Sequence, residues 1–303
     1  MRATVLHVGT FTKSLLIHLA NESGAFAEAG LDVRESSVTS SPAQFSSLVA
    51  GELDIAITSP DNVIAYRFLA QNPLGQLIPV EIISAVDRGL GLSLCLAPSV
   101  KAIDEVRGRV VGVDVANSGF AFVAYELLRR SGLQRGDYET EALGSTPRRT
   151  TALIANQCAA TILNAGNELR AVRANCTLVS SVAELGPYLG TVIAAVHSDS
   201  TTVLDARRRF AEVMLATSQG ILAGSAQSEV VGAAMSILDL SEDEARAHYA
   251  CLRDKANGLV VGGIVDRASI ATLLALRQRY LPSGDLDSVL DSLPSFVVEG
   301  ALE

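Results

Sequence analysis

Two stretches of the chain follow one plan at a constant offset of 105 residues, with no gap. Residues 41–59 read SPAQFSSLVAGELDIAITS, and residues 146–164 read TPRRTTALIANQCAATILN. Each copy predicts a capped helix, a tight turn and a buried strand that ends in a small polar residue. A period this long is not that of a solenoid repeat. It predicts two similar α/β lobes, and a cleft between lobes is a usual place for a small ligand.

Composition excludes several classes of protein. With 303 residues, of which 49% are hydrophobic, the chain can hold two domains with a substantial core. The net charge is −9 and the longest basic run is Arg207 to Arg209, which argues against a nucleic-acid surface. We interpret that run as a solvated helix face. No apolar stretch reaches the roughly 20 residues of a membrane span, so we expect no transmembrane segment.

The first residues already have the pattern of a core strand, TVLHVG at positions 4–9. This leaves no room for the basic region, apolar helix and cleavage site of a signal peptide. We therefore expect a cytoplasmic protein as the sequence is written. If the start is engineered or truncated, we expect a periplasmic or cell-surface protein instead.

Neither a metal site nor a cofactor is expected. The four cysteines are scattered and form no C-x-x-C pair, and the four histidines lack the spacing of metal ligands. Cys95 and Cys158 lie in apolar runs and are interpreted as buried free thiols. The nucleophile elbow, the P-loop and the zinc-protease motif are all missing from the sequence.

Predicted strands and helices alternate up to about residue 197, which indicates an α/β fold with a mainly parallel sheet in each lobe. The region beyond is predicted to be helical, with helices at 201–223, 227–238, 241–253 and 266–280. Glycine-punctuated residues 87–91 and the segment 187–190 predict two crossings between the lobes. Lobe 1 is then residues 1–88 and 190–303, and lobe 2 is residues 89–189, joined by a two-linker hinge.

Capping residues follow predicted strands at several places. Ser41, Ser59 and Thr146 each precede a proline, and Ser118 with Gly119 follows the strand predicted at 110–115. Helix N-termini after parallel strands line the carboxyl edge of a sheet, where they favour carboxylate, sulfonate or phosphate groups. Any one of these positions is also explained as an ordinary cap. The set, converging from both lobes, predicts a ligand site.

Other candidates lie at the same predicted edge. Phe11 could stack on a ligand or fill a loop, and Asp61 could bind a ligand amine or complement its own helix dipole. Asn164 takes the place of Ser59 in the second copy of the repeat. Tyr188 offers a ring and a hydroxyl near the return crossing. Lys13 and Arg88 could pair with an anion, although a solvated side chain and a lobe-to-lobe ion pair explain them as well.

Three segments resemble phrases of one known family. Residues 22–33 (ESGAFAEAGLDV), 50–56 (AGELDIA) and 296–301 (FVVEGA) are similar to those of type 2 periplasmic solute-binding proteins of the nitrate/sulfonate/taurine and thiamine-pyrimidine-precursor class. The resemblance extends over nearly the whole chain. It implies a two-lobed periplasmic-binding-protein type 2 fold that closes over a small organic ligand. It also implies an ABC importer permease as a partner.

The resemblance implies ligand contacts from five loops. These contacts would come from Thr10, Phe11, Thr12, Ser40, Ser41, Thr58, Ser59, Asn117, Ser118, Gly119, Phe120 and Asn164.

The sequence leaves three functions open, and they belong to different classes of protein. The first is a binding protein for an organic anion or heterocycle. The second is a cytoplasmic enzyme on the same scaffold, a lyase, decarboxylase or dehydratase. Its acid and base groups would be Asp61, Glu168 and Asp87, with Lys13 or Arg88 holding a carboxylate. Some family members are such enzymes, although the cysteine-rich motif of one of them is missing here. The third is a cytoplasmic ligand sensor that docks on another protein.

Overall fold

The computed structural model describes residues 3–302. Its ten strands, β1 to β10, span Thr4–Thr10, Leu31–Ser37, Ile55–Thr58, Val80–Asp87, Ser93–Leu96, Val110–Val113, Glu139–Ala142, Ala160–Leu163, Thr177–Ser181 and Thr191–Val196. They form two five-stranded sheets, ordered β2-β1-β3-β10-β4 and β7-β6-β8-β5-β9. Below, lobe 1 denotes the elements packed around the first sheet and lobe 2 those around the second.

In each sheet four of the five strands run in the same direction, so each sheet is mainly parallel, as predicted. In the first sheet β1 pairs in parallel with β2 and β3, whereas β10 is antiparallel to β3 and β4. In the second, β6 pairs in parallel with β7 and β8, whereas β5 is antiparallel to β8 and β9. The antiparallel strand in each sheet is the one that follows a crossing from the other sheet. Strand β10, which follows the predicted crossing at 187–190, lies in the first sheet. The exact lobe boundaries stay a prediction.

Helices cover both sheets and form the C-terminal region. The helices α1 to α11 span Leu15–Glu22, Ala25–Glu28, Ser41–Val49, Pro60–Phe68, Gly119–Arg130, Thr146–Ile154, Asn167–Arg173, Thr201–Ala223, Gln227–Leu238, Glu242–Leu252 and Arg267–Tyr280. The four predicted C-terminal helices are present, and Ser241 with Glu244 forms a capping box at the start of α10. The chain after α11 forms 3-10 turns at Gly284–Leu286 and Leu293–Ser295.

The sequence repeat is also a repeat in three dimensions. Helix α3 and strand β3 have the same bounds as α6 and β8 after the offset of 105 residues. The tight turn between them has a left-handed residue at the same place, Gly51 with φ 72° and Asn156 with φ 58°. Gly and Asn are the residues that adopt this conformation at least cost. The turn chemistry therefore agrees with the repeated plan.

Two of the predicted caps are wrong by one residue, in the same direction. The N-cap of α3 is Ser40, whose hydroxyl accepts from the amide of Ala43, and Ser41 is the first helical residue. Ser145 similarly precedes α6, which begins at Thr146. Proline fits anywhere in the first turn because its missing N–H is not needed there, so it does not fix the cap position. Ser59 and Ser118 are caps as predicted.

Two linkers between the sheets are joined at Asp87. Its carboxylate accepts from the amide of Gly89 at 2.7 Å and from the hydroxyl of Thr191, and its carbonyl accepts from the amide of Gly190 at 2.8 Å. The next residue, Arg88, forms an ion pair with Asp266 at 3.2 Å at the N-cap of α11. These contacts tie the outgoing and returning linkers into one narrow connection.

No single helix among residues 3–302 has the length and apolar character needed to cross a membrane. The helix pair α8 and α9, bent by 114°, passes that test only when the two helices are taken together. Core helices of folded proteins pass the same test.

All four cysteines are free thiols, and Cys95, Cys158 and Cys176 are buried.

Candidate functional site

A cleft between the two sheets encloses about 1010 Å³, counting the part that is open to solvent. Its walls come from both lobes. Lobe 1 contributes the loop after β1 and the start of α4, and lobe 2 contributes the starts of α5 and α6 and the end of β8. A cleft of this size accommodates a small organic molecule.

Eight of the fourteen predicted site residues line this cleft and six do not. Those that line it are Thr10, Phe11, Thr12, Ser59, Ser118, Gly119, Phe120 and Asn164. Those outside the lining are Ser40, Ser41, Thr58, Asp61, Asn117 and Tyr188.

The loop after β1 is held by a carboxylate that the sequence analysis missed. Glu35 of β2 accepts from the Thr10 hydroxyl at 2.6 Å and from the Ser14 amide at 2.8 Å. Burial raises the pKa of Glu35. With both ends of the loop fixed, Phe11 is half-buried on the cleft wall and the Lys13 side chain is exposed beside it. This arrangement presents one ring and one positive charge to the cleft.

Ser118 and Gly119 open helix α5 at the lobe 2 wall. The Ser118 hydroxyl accepts from the Ala121 amide at 3.0 Å and donates to Asp114, which also lines the cleft. A protein group packs closely against Gly119, because a Cβ there would lie 2.6 Å from the Cβ of Asp61. The glycine therefore permits close contact between α4 of lobe 1 and α5 of lobe 2.

Gly119→Ala is expected to destabilise the folded protein by about 1–3 kcal/mol, the usual range for overpacking. Its methyl group would meet the Asp61 carboxyl group, which is held on both oxygens and cannot move away. Gly136→Ala is the matched control, because a Cβ there meets nothing within 4 Å. Urea unfolding midpoints compare the two. Equal midpoints for both variants would contradict the close approach.

Asp61, for which a ligand contact and a helix-dipole role were both open, lies outside the cleft lining. Its two carboxylate oxygens accept from Arg277 of α11 at 2.7 and 2.6 Å, and both side chains are almost fully buried. Arg277 also donates to the Asn117 carbonyl at 3.2 Å and lies over the Phe122 ring. The ion pair thus joins α4 to α11 and to the start of α5, and neither Asp61 nor Asn117 offers its bonded group to a ligand.

The other predicted site residues outside the cleft lining contact protein groups. Thr58 is buried and accepts from the Asn62 side chain at 3.0 Å, and the Ser40 hydroxyl caps α3. Ser41 is buried at the start of α3. The Tyr188 ring is fully buried against the linker residue Gly89, and its hydroxyl has no partner among residues 3–302. Burial raises the pKa of Tyr188 well above its ordinary value.

Asn164 links the end of β8 to the linker residue Gly89. Its amide donates to the Gly89 carbonyl at 3.1 Å, and its side-chain oxygen accepts from Thr146 at 3.5 Å. Asn164 lines the cleft and is only 6% exposed. A ligand that bonds to Asn164 would therefore contact a group that is coupled to the linker between the lobes.

The most informative cleft residue, Arg149, was not predicted. It lies in the first turns of α6, is 1% exposed and lines the cleft. Its guanidinium donates only to neutral oxygens, namely the Gly144 and Ile162 carbonyls and the Thr146 hydroxyl. The Nε atom has no partner, and within residues 3–302 no carboxylate lies within the 4.0 Å of an ion pair.

An unpaired buried cation is costly, and burial lowers the pKa of Arg149. Asp114 attracts the guanidinium without forming an ion pair. In the first copy of the repeat the same position is Gln44, which donates to the equivalent carbonyl, that of Ile57. Lobe 2 thus has a cation where lobe 1 has a neutral amide. That difference supplies the cleft with a fixed positive charge.

Three buried titratable groups lie around the hinge and the lobe 1 wall. Burial raises the pKa of Asp87 to about 6 and that of Glu168 to about 8, and it lowers the pKa of His248 to about 4. Asp87 and His248 line the cleft, whereas Glu168 lies beside Gly91 outside the lining. At neutral pH Glu168 is therefore protonated and His248 is uncharged.

Glu168→Gln is expected to remove a pH dependence of stability between pH 6.5 and 8. In that window the unfolded wild-type chain has lost this proton and the folded protein retains it, so wild-type stability falls as pH rises. The loss is about 2 kcal/mol, at about 1.4 kcal/mol per unit. Asp87 and His248 titrate alike in the wild type and in the variant, so the difference between their two slopes reports on Glu168. Denaturant unfolding at several pH values measures the slope, and an unchanged slope in the variant would refute the assignment.

The site has no cluster of metal-ligating side chains within residues 3–302. The chain matches no model of a protein family, and no curated protein is found as a relative.

Solved structures, by contrast, match the chain over nearly its full length. The alkanesulfonate-binding protein SsuA from Xanthomonas axonopodis pv. citri, bound to MOPS, covers 100% of this chain and 99% of its own, with a TM-score of 0.70 and 13% identity. The periplasmic nitrate-binding protein NrtA from Synechocystis PCC 6803 covers 96% and 86%, with a TM-score of 0.74 and 15% identity.

A third match is the CA3427 gene product of Candida albicans, described as having the generic periplasmic binding protein fold. It covers 99% of this chain and 97% of its own, with a TM-score of 0.72 and 16% identity. The predicted fold is confirmed by these matches. The chain has the two-lobed type 2 fold of the periplasmic solute-binding proteins.

Proposed function

We propose that this protein binds a small organic anion in the cleft between its lobes and delivers it to an ABC importer. The observation that carries the proposal is the Arg149 guanidinium, buried on the cleft wall without a carboxylate partner. A bound anion would supply the missing counter-charge. Arginine suits this role because its planar donors match carboxylate, sulfonate and phosphate groups.

Further positive potential comes from helix ends and from Lys13. Ser59, Ser118 and Thr146 lie at the starts of α4, α5 and α6, and all three line the cleft. Helix N-termini carry partial positive charge that favours a bound anion. Asp114 and Asp87 are the opposing charges on the cleft wall. Both Asp87 oxygens accept hydrogen bonds from linker residues, whereas the acceptor oxygens of Asp114 favour a ligand that also carries a hydrogen-bond donor.

The rest of the wall favours an organic ligand over a bare inorganic ion. Phe11 and Phe120 are half-buried at the cleft, where their rings can pack on aliphatic or heterocyclic parts of a ligand. The structural neighbours include proteins described as binding alkanesulfonate and nitrate, and several are described as periplasmic. On that basis we propose a permease partner and a periplasmic or cell-surface location, and the cytoplasmic expectation remains unconfirmed.

The enzyme alternative is not favoured. Of its proposed acid and base groups, Asp61 is fully engaged by Arg277 and Glu168 lies outside the cleft lining. Asp87 lines the cleft, but both of its carboxylate oxygens accept hydrogen bonds within the hinge. None of the three carboxyl groups is thus a free group poised over a ligand.

Thermal unfolding against a panel of carboxylates, sulfonates and neutral heterocycles, with mass analysis of each hit, tests the proposal. A true ligand at about a thousand times its Kd should add about 4 kcal/mol of stability. The proposal expects anions among the hits, each recovered intact. Stabilisation by neutral compounds alone, or recovery of a converted compound, would overturn it.

A further inference from the structure

The cleft extends into an apolar chamber of lobe 1, defined by Leu16, Val86, Leu238, Leu252 and Leu259. These side chains come from α1, β4, α9, α10 and the segment after α10. All except Val86 are buried. This part of the cleft wall is therefore aliphatic, in contrast to the polar helix ends around Arg149 in lobe 2. The two walls differ in the chemistry that they can bind.

One polar side chain, His248 of α10, interrupts this apolar surface. It is 1% exposed and lines the cleft. Its Nδ1 atom is fully buried without a hydrogen-bond partner among residues 3–302. Burial alone lowers its pKa to about 4, so the ring is neutral at physiological pH and presents one donor and one acceptor nitrogen. A buried polar group without a partner destabilises the protein unless something bonds to it.

We propose that the ligand carries an apolar body that enters this chamber and ends in a neutral hydrogen-bonding group, such as a hydroxyl, that bonds to the His248 imidazole. This inference rests on the proposed function and names the ligand class more closely, as an anion with a polar-tipped apolar tail. A charged tip is disfavoured, because the surrounding leucines would strip its hydration without supplying a counter-charge. A plain hydrocarbon tip would leave the imidazole unpartnered.

Calorimetric titration of hexanoate, octanoate and their ω-hydroxy counterparts tests the inference. The wild-type protein is expected to bind a hydroxyl-tipped acid about tenfold more tightly than its methyl-tipped counterpart of fitting length. His248→Leu is expected to remove or reverse that preference. Tyr249→Phe is the matched control, since Tyr249 is a buried neighbour on α10 that does not line the cleft. It should retain the wild-type preference.

His248→Gln is a second variant, used in case His248→Leu does not fold. It keeps a neutral polar group on the chamber wall, so it is expected to retain part of the preference for the hydroxyl-tipped acid. The inference fails if wild type and His248→Leu have the same preference, or if wild type has none. It also fails if none of these acids binds while a compact organic anion such as methanesulfonate does, an outcome that leaves the proposed function standing. If no anion binds, the proposed function fails as well.

Discussion

Replacing Arg149 by glutamine is expected to weaken anion binding by about 30-fold to several thousand-fold. Removing one partner of a buried, hydrogen-bonded charge pair costs about 2–5 kcal/mol, and each 1.4 kcal/mol is tenfold in affinity. Glutamine is the informative substitution, because Gln44 occupies the equivalent place in lobe 1 and donates to the equivalent carbonyl. The variant therefore gives lobe 2 the side chain that lobe 1 already has at this position.

Without ligand, the same variant is expected to be at least as stable as the wild type. It removes a buried guanidinium that has no ion-pair partner among residues 3–302. Arg148→Gln is the matched control, since Arg148 is exposed one residue earlier on α6. Calorimetric titration with the best anion of the panel and urea unfolding measure both effects. Equal binding by wild type and Arg149→Gln, or an equal loss in Arg148→Gln, would contradict the role of Arg149.

Breaking the Asp61–Arg277 ion pair is expected to cost about 3–5 kcal/mol of folding stability, because either single substitution leaves a buried charge without a partner. Asp61→Asn and Arg277→Met are the two single variants. At an entropy of unfolding of about 2.1 cal/mol/K per residue, this corresponds to a fall in Tm of about 5–8 °C. Differential scanning calorimetry measures it.

The double variant Asp61→Leu with Arg277→Met separates charge from packing. It removes both charges and should recover much of the lost stability. Arg279→Met is the control on the same helix, because Arg279 is 55% exposed and its pair with Glu126 is long, at 3.6 Å. Such surface ion pairs contribute little to folding stability. If Asp61→Asn and Arg277→Met lose no more folding stability than Arg279→Met, the ion pair is not what joins α4 to α11.

The repeat was the feature from which most of the fold could be predicted. Hydrophobic period and turn residues are local signals, so α3, β3, α6 and β8 could be located to within one or two residues. The order of strands in each sheet could not be predicted. It depends on pairings such as that of β10 with β4, which joins segments about a hundred residues apart in the chain.

Prediction of the site was limited for the same reason. The role of Asp61 stayed open between a ligand contact and its own helix dipole, because its partner, Arg277, lies 216 residues away and has no local signature. Arg149 looked like an ordinary helix residue, since burial of a charge cannot be read from spacing. One signal was available, because the offset of 105 residues aligns Arg149 with Gln44, so the same helix position is polar in both copies. His248 gave no such signal, because nothing in the sequence places α10 beside the cleft.

The most direct test of a binding cleft with a fixed positive charge is a pair of calorimetric titrations of the wild-type protein. One titration uses the tightest anion of the panel and the other its uncharged amide. Because Arg149 has no ion-pair partner among the described residues, the anion is expected to bind at least 30-fold more tightly, about 2 kcal/mol. Equal affinity for the anion and the amide would contradict the account.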